Sequence, residues 1–192
     1  SIIVIGQLIE ALKSGKYDLD NTSVMITQTG GGCRATNYIG LIRKALKDAK
    51  FENVPVLSLN FSGLEKDQGF KISLPMVNKL LLAVMYGDLL MKLFYETRPY
   101  EKVKGTTEEM YDFYFEKCRD NIRNGNIRIF KNNVRNIIRD FDSIPIVKRD
   151  IPKVGIVGEI LIKYHHYGNN HLADTLEKEN MEVVVPELMG FV

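Results

Sequence analysis

The residues best placed to do chemistry lie in one short stretch, TQTGGGCRATNY, Thr27 to Tyr38. Gly30, Gly31 and Gly32 follow a run of β-formers and lead straight into a helical pattern, with Cys33 and Arg34 at the junction. Three glycines after a strand permit positive φ and let a ligand approach the main chain closely. The helix that follows offers unpaired N–H groups and a partial positive charge at its start, which suit a phosphate, a carboxylate or a thiolate. Neither G-x-G-x-x-G nor G-x-x-x-x-G-K-[ST] is present, so the stretch carries no dinucleotide or P-loop fingerprint. The alternative is a tight strand-to-helix turn that holds nothing. Cys33 at a helix start has a stabilised thiolate, suited to a reactive thiol or a metal ligand; the alternative is a small residue that fits the turn. One cysteine alone does not build an iron–sulfur cluster. Asn37, one turn further on, can aim its amide at the same place.

Glu159 follows Gly158 where a strand is expected to end. Ligands of open α/β sheets bind at that edge, and a carboxylate there can orient a hydroxyl, accept a proton or ligate a metal. A loop acid or a helix cap is the alternative. The stretch KYHHYGNNH holds all three histidines, His165, His166 and His171. Adjacent histidines on a loop can bind a metal ion, but no partner has zinc-finger or H-E-x-x-H spacing, which favours a polar loop. Cys118, on the apolar face of a helical pattern, reads as core, and no G-x-S-x-G is present.

These residues need elements to position them. Ile2, Ile5, Leu8, Ile9 and Leu12 fall at helical spacing, and Ser14-Gly15 ends that helix. SVMIT and VPVLSL (Ser23–Thr27, Val54–Leu59) read as strands around a helix over 35–49, a strand–helix–strand unit expected to pair in parallel with a right-handed crossover. From Leu74 to Phe141 no strand is expected. A helix over Leu80–Phe94, a second capped by Thr107, and a third carrying Ile127, Phe130, Val134 and Ile137 follow one another. After Pro152 a strand is expected over Lys153–Ile160, ending at Gly158, then a helix capped by Asn169 or Asn170, then the strand MEVVVPEL. The expected fold is α/β: two small parallel βαβ (Rossmann/flavodoxin-like) lobes bridged by a helical segment. The boundaries are 1–72 for the first lobe, 73–145 for the helical bridge and 146–192 for the start of the second lobe.

A chain of 192 residues with 45% hydrophobic and 26% charged content belongs with ordinary globular proteins. The net charge of +2 gives no global attraction to nucleic acid or to a membrane surface. Two cysteines cannot make a disulfide scaffold, which points to the cytoplasm. The most apolar run, Leu80–Tyr95, carries Asp88 and Lys92 and reads as a buried helix rather than a membrane span. Both ends begin or stop abruptly on apolar residues, as expected of a fragment of a longer protein.

TQTGGGCRATNYIGLIRKAL, YGDLLMKLFYETRPYE and VGIVGEILIKYHHYGNNHLADTLEKENMEVVVPEL together resemble one segment of the CoA-substrate-specific enzyme activase-related proteins, which are associated with 2-hydroxyglutaryl-CoA dehydratase and its activator. The resemblance covers nearly the whole chain and is most specific at GGGCRATNY and VGE. It implies a dehydratase-like module of two α/β lobes with helices between them. It also implies a [4Fe-4S] cluster held by cysteines of both lobes, with Cys33 as the matching metal ligand. Electrons would come from ATPase activator modules, for dehydration of a 2-hydroxyacyl-CoA. Gly30, Gly31, Gly32, Arg34, Asn37 and Glu159 would shape the cofactor-binding cleft. The chain departs from that pattern in offering no second-lobe cysteine: VGIVGEI carries glutamate instead. The expected partners are ATPase activator modules or a dehydratase subunit, and an acyl-CoA. Two other readings stay open, a non-catalytic interaction module and a CoA- or nucleotide-binding domain without metal.

Overall fold

The computed structural model describes residues 2–28, 34–59 and 73–191. The chain divides into two compact units, Ser1–Lys71 and Ile72–Val192.

In the first unit, α1 (Ile2–Lys13) stops where Gly15 takes a φ of +70°. Strand β1 (Val24–Thr27) pairs in parallel with β2 (Val56–Leu59), with Val24 opposite Val56 and Thr27 opposite Leu59. Between them in sequence, a single 3-10 turn, Arg34–Asn37, leads into α2 (Tyr38–Asp48). The helical spacing of Ile42 and Leu46 brings them together with Leu12, Val24 and Val54 in one core, flanked by Ile5, Leu8 and Ile9. The sequence did not single out Gln28, which lies just beyond β1 and is buried. Its amide nitrogen donates to the Thr36 carbonyl at 2.9 Å, and its carbonyl oxygen accepts from the Ser58 hydroxyl at 2.5 Å. One side chain thus ties β1, β2 and the entry to α2 together. Gln28→Ala is expected to cost about 1–2 kcal/mol in urea unfolding, because it strips partners from buried polar groups. Ser58→Ala should cost less, since the Thr36 bond survives it.

The second unit begins with α3 (Leu74–Thr97). It starts earlier than the sequence suggested, because the Ser73 side chain accepts the Met76 N–H and Pro75 fits the first turn. Two further helices, α4 (Thr106–Asn124) and α5 (Ile127–Asp142), pack with it around Tyr86, Leu90, Tyr114, Cys118, Ile137 and Phe141. Each large apolar side chain fully buried there is worth about 1.5–3 kcal/mol. The cap of α4 differs from expectation: Gly105 occupies the cap position at φ +92°, and the Glu101 carboxylate receives the Gly105 and Thr107 N–H groups. Asn126 caps α5, its side chain accepting from Arg128 and Ile129.

Strand β3 (Lys153–Gly155) pairs in parallel with β4 (Glu182–Val184). The strand expected to run to Gly158 is shorter. Ile156 still donates to Val184 at 2.9 Å, and then Gly158 at φ +147° turns the chain into a helix that the sequence reading missed, α6 (Ile160–Tyr164). Its run, Ile160–Tyr164, lies past the expected strand end at Gly158 and was assigned to no element. The next helix, α7 (Leu172–Lys178), is preceded by His171 at φ +53° rather than by an asparagine cap, although the Asn169 side chain does accept the Leu172 N–H. Helix α3 packs along β4, and the Asp88 carboxylate on α3 accepts the Leu188 and Met189 N–H groups at 2.8 Å each. The three long helices and the second strand pair therefore belong to one compact unit. Helix α3 and its extension to Tyr100 are long and apolar enough to cross a membrane by length and composition. Within this unit, however, Asp88 is tied to the C-terminal turn and Lys92 to Glu187 at 3.1 Å.

The architecture is thus mixed helix and strand, with two small parallel pairs, an α/β chain in the broad sense.

Candidate functional site

Of the residues singled out in the sequence, Gly30, Gly31, Gly32 and Cys33 lie outside the described residues. Arg34 opens the short turn before α2. Asn37 is exposed at the cap position of α2 and makes no capping bond with its side chain. Glu159 caps α6, its carboxylate accepting the Ile162 N–H at 3.0 Å. Asn37 belongs to the first unit and Glu159 to the second.

A different set of residues converges in the second unit. A cleft of about 380 Å³ opens beside Ile156 and Val185, the residues that follow β3 and β4 at their carboxyl ends. Helix α3 gives it Phe94 and Tyr95, α4 gives Tyr111, and α6 gives Lys163 and Tyr164. Arg98, in the turn that ends α3, lies over the Phe94 ring at 4.3 Å from its centre. Its guanidinium donates from Nε to Glu177 at 3.0 Å and from Nη1 to Glu108 at 3.3 Å, and also reaches the second oxygen of Glu177 and, at 3.6 Å, Asp174. Burial works against the charge on Arg98, but these carboxylates hold its pKa above the usual value. Burial also lifts the Glu177 carboxyl above its ordinary range despite the pull of Arg98, helped by the nearby Asp174 and Glu108. Desolvation raises the Tyr95 and Tyr111 phenols as well, so both rings stay neutral.

Lys163 is buried, yet its amine reaches the Pro186 carbonyl at 3.1 Å and lies 4.4 Å from the centre of the Tyr164 ring. The Tyr164 hydroxyl donates to the same carbonyl at 2.7 Å. This cleft therefore combines flat aromatic faces with two cationic side chains, at the sheet edge where α/β proteins bind ligands. The aromatic faces suit a planar ligand. Arg98 is already paired with Glu177, Glu108 and Asp174, which makes Lys163 the cation facing a bound group. Sequence reasoning missed Arg98 and Lys163. The only local signal was Arg98-Pro99 breaking the apolar helix, because the lining residues are drawn from Met91 to Val185 along the chain.

The described residues do not fit a cysteine-ligated cluster. Cys118 is the one cysteine among them; it is 2% exposed in the three-helix core, where burial pushes its thiol up to about 12. Glu159 is engaged in capping α6. The whole chain has two cysteines, fewer than the four thiolates of a standard cluster.

The chain matches no protein-family model, no curated protein and no solved structure.

Proposed function

We propose that this chain is a dehydratase-like module of the activase-related group, and that its second unit binds the nucleotide end of a CoA-class ligand. Under this reading each parallel pair is the start of a Rossmann/flavodoxin-like lobe. The module acts in the cytoplasm beside ATPase activator modules or a dehydratase subunit. The observation that carries the binding role is the cleft at the carboxyl edge of β3 and β4, with Arg98, Lys163 and four aromatic rings in its wall. The glycines Gly30–Gly32, with Arg34 and Asn37, remain the proposed anion-binding turn of the first unit. A cluster on Cys33 would need thiolates from beyond these 192 residues, which hold two cysteines. The cleft supports metal-free CoA or nucleotide binding in the second unit, away from the glycine turn where the sequence reading had placed it.

Titration calorimetry of the iron-free protein with CoA, dephospho-CoA and ATP tests the reading. One-to-one binding is expected, weakened roughly tenfold by Lys163→Met, which removes a cation while keeping most of the apolar stem of the side chain. No heat with any of the three at millimolar concentration would refute it. The thiols give a separate check. In Cys33→Ala, Cys118 is the chain's one remaining thiol, and it should resist Ellman's reagent at pH 8 until denaturant is added, since it is both buried and protonated. Four irons per chain after anaerobic reconstitution of the isolated wild-type protein would contradict the ligand count argued here.

A further inference from the structure

The three histidines do different work. His165 is structural: its Nδ1 accepts the Gly168 N–H at 2.9 Å, inside a loop that Asn169 holds by donating to the Ile162 and Lys163 carbonyls at 3.2 and 3.0 Å. His166 and His171 lie at the surface instead. The His171 N–H donates to the His166 carbonyl at 2.8 Å, which closes the loop and sets the two rings side by side, 6.0 Å apart and 24° from parallel. Asn170 and His171 both adopt left-handed backbone, at φ +56° and +53°, to make that return. One turn into α7, Asp174 places a carboxylate oxygen 3.5 Å from His171 Nδ1.

We infer that His166, His171 and Asp174 form a binding site for a divalent transition-metal ion at the rim of the cleft. One ligand atom from each lies within 4.8 Å of the other two. Zinc ligands stand about 2.0–2.1 Å from the ion, so donors of one site are at most about 4.2 Å apart. Closing the difference takes a small rotation of side chains, the two imidazoles exposed and the Asp174 carboxylate half-buried. Two imidazoles and one carboxylate favour zinc, cobalt or nickel over magnesium or calcium, which prefer all-oxygen sites. Three protein ligands leave a further coordination position open, as in reactive rather than purely structural metal sites. Arg98, 3.6 Å from the other oxygen of Asp174, orients that carboxylate. His166 and Asp174 also line the cleft, so a bound ion would add positive charge at its mouth. This site stands independently of the CoA-class ligand proposed above.

Protein without a polyhistidine tag is titrated with Zn(II) by calorimetry and with Co(II) by visible absorption. The expected result is one ion per chain in the micromolar range, with cobalt d–d bands that zinc abolishes. His166→Ala and His171→Ala should each weaken binding at least tenfold. Asp174→Asn should do likewise, with circular dichroism checking that each variant is folded. His165→Asn keeps an acceptor for the Gly168 N–H and should bind as the wild type does. Wild-type binding weaker than millimolar, unchanged binding in both His166→Ala and His171→Ala, or equal loss in His165→Asn would each overturn the site.

Discussion

Tyr86→Phe is expected to destabilise the second unit by about 2–3 kcal/mol, and Tyr86→Ala by about 4–5 kcal/mol. Tyr86 is 1% exposed and joins three helices: its hydroxyl donates to Asn121 Oδ1 at 2.8 Å and accepts from Asn133 Nδ2 at 3.1 Å. Asn121 in turn donates to the Asn126 carbonyl at 3.0 Å, where α5 begins. Deleting one oxygen therefore leaves a buried acceptor on α4 and a half-buried donor on α5 without their partner. Unmet polar groups there cost more than a made hydrogen bond returns. The alanine variant adds the loss of the ring, which meets Phe130 edge-on at 4.8 Å. Denaturant unfolding and a melting point lowered by roughly 10 °C for the phenylalanine variant are the readouts. A change under about 0.5 kcal/mol would show that the network contributes little. Burial also pushes the Tyr86 phenol up to about 12, against the opposing bond from Asn133. The native state keeps this proton where the unfolded chain loses it, so stability should fall as pH climbs from about 10 towards 12.

Glu101→Ala is expected to cost about 2–3 kcal/mol, and Glu101→Gln about 1–2 kcal/mol, since glutamine keeps an acceptor without the charge. Glu101 is 8% exposed and receives the N–H groups of Gly105 at 2.8 Å and Thr107 at 2.9 Å. Burial alone would raise its pKa, but these bonds, with Arg98 nearby, hold it below the usual 4.5. The sign follows directly. Below about 4.5 the unfolded chain takes up a proton that the native carboxylate resists. This contribution is therefore complete above that value and is lost as pH falls through the native pKa. Stability measured from pH 5 down to pH 3 should drop less steeply in Glu101→Gln than in the wild type. An identical slope in both would remove Glu101 from the acid response.

How much was legible in advance can be judged from single elements. The periodicity of Ile42 and Leu46, or of Ile137 and Phe141, identified buried helix faces because a helix must hide its apolar stripe whatever it packs against. The apolar core position of Cys118 was readable in the same way. In KVGIVGEI the strand was expected to reach Gly158 but stops at Gly155, and the helix after Gly158 was not foreseen, since a short apolar stretch has no periodicity that separates strand from helix. Thr107 looked like a cap by residue type. The actual cap is Glu101, which reaches back from an irregular segment whose path no local pattern specifies. Glu159 was open to several functional roles as well as to capping a helix, and its carboxylate does cap α6 through the Ile162 N–H.

By itself the sequence determined the long helices and the four strand positions to within a few residues, that the strands pair in parallel around helices, and that these 192 residues hold too few thiols for a cluster. Those are matters of composition and of repeat spacing, which act over a few residues. Only the tertiary structure decided that Phe94, Arg98, Tyr111 and Lys163 share one cleft, and that His166 and His171 part company with His165. The reason is geometric. A site made of side chains from five elements depends on how those elements cross, and crossing is fixed by packing between distant segments rather than by the local chain.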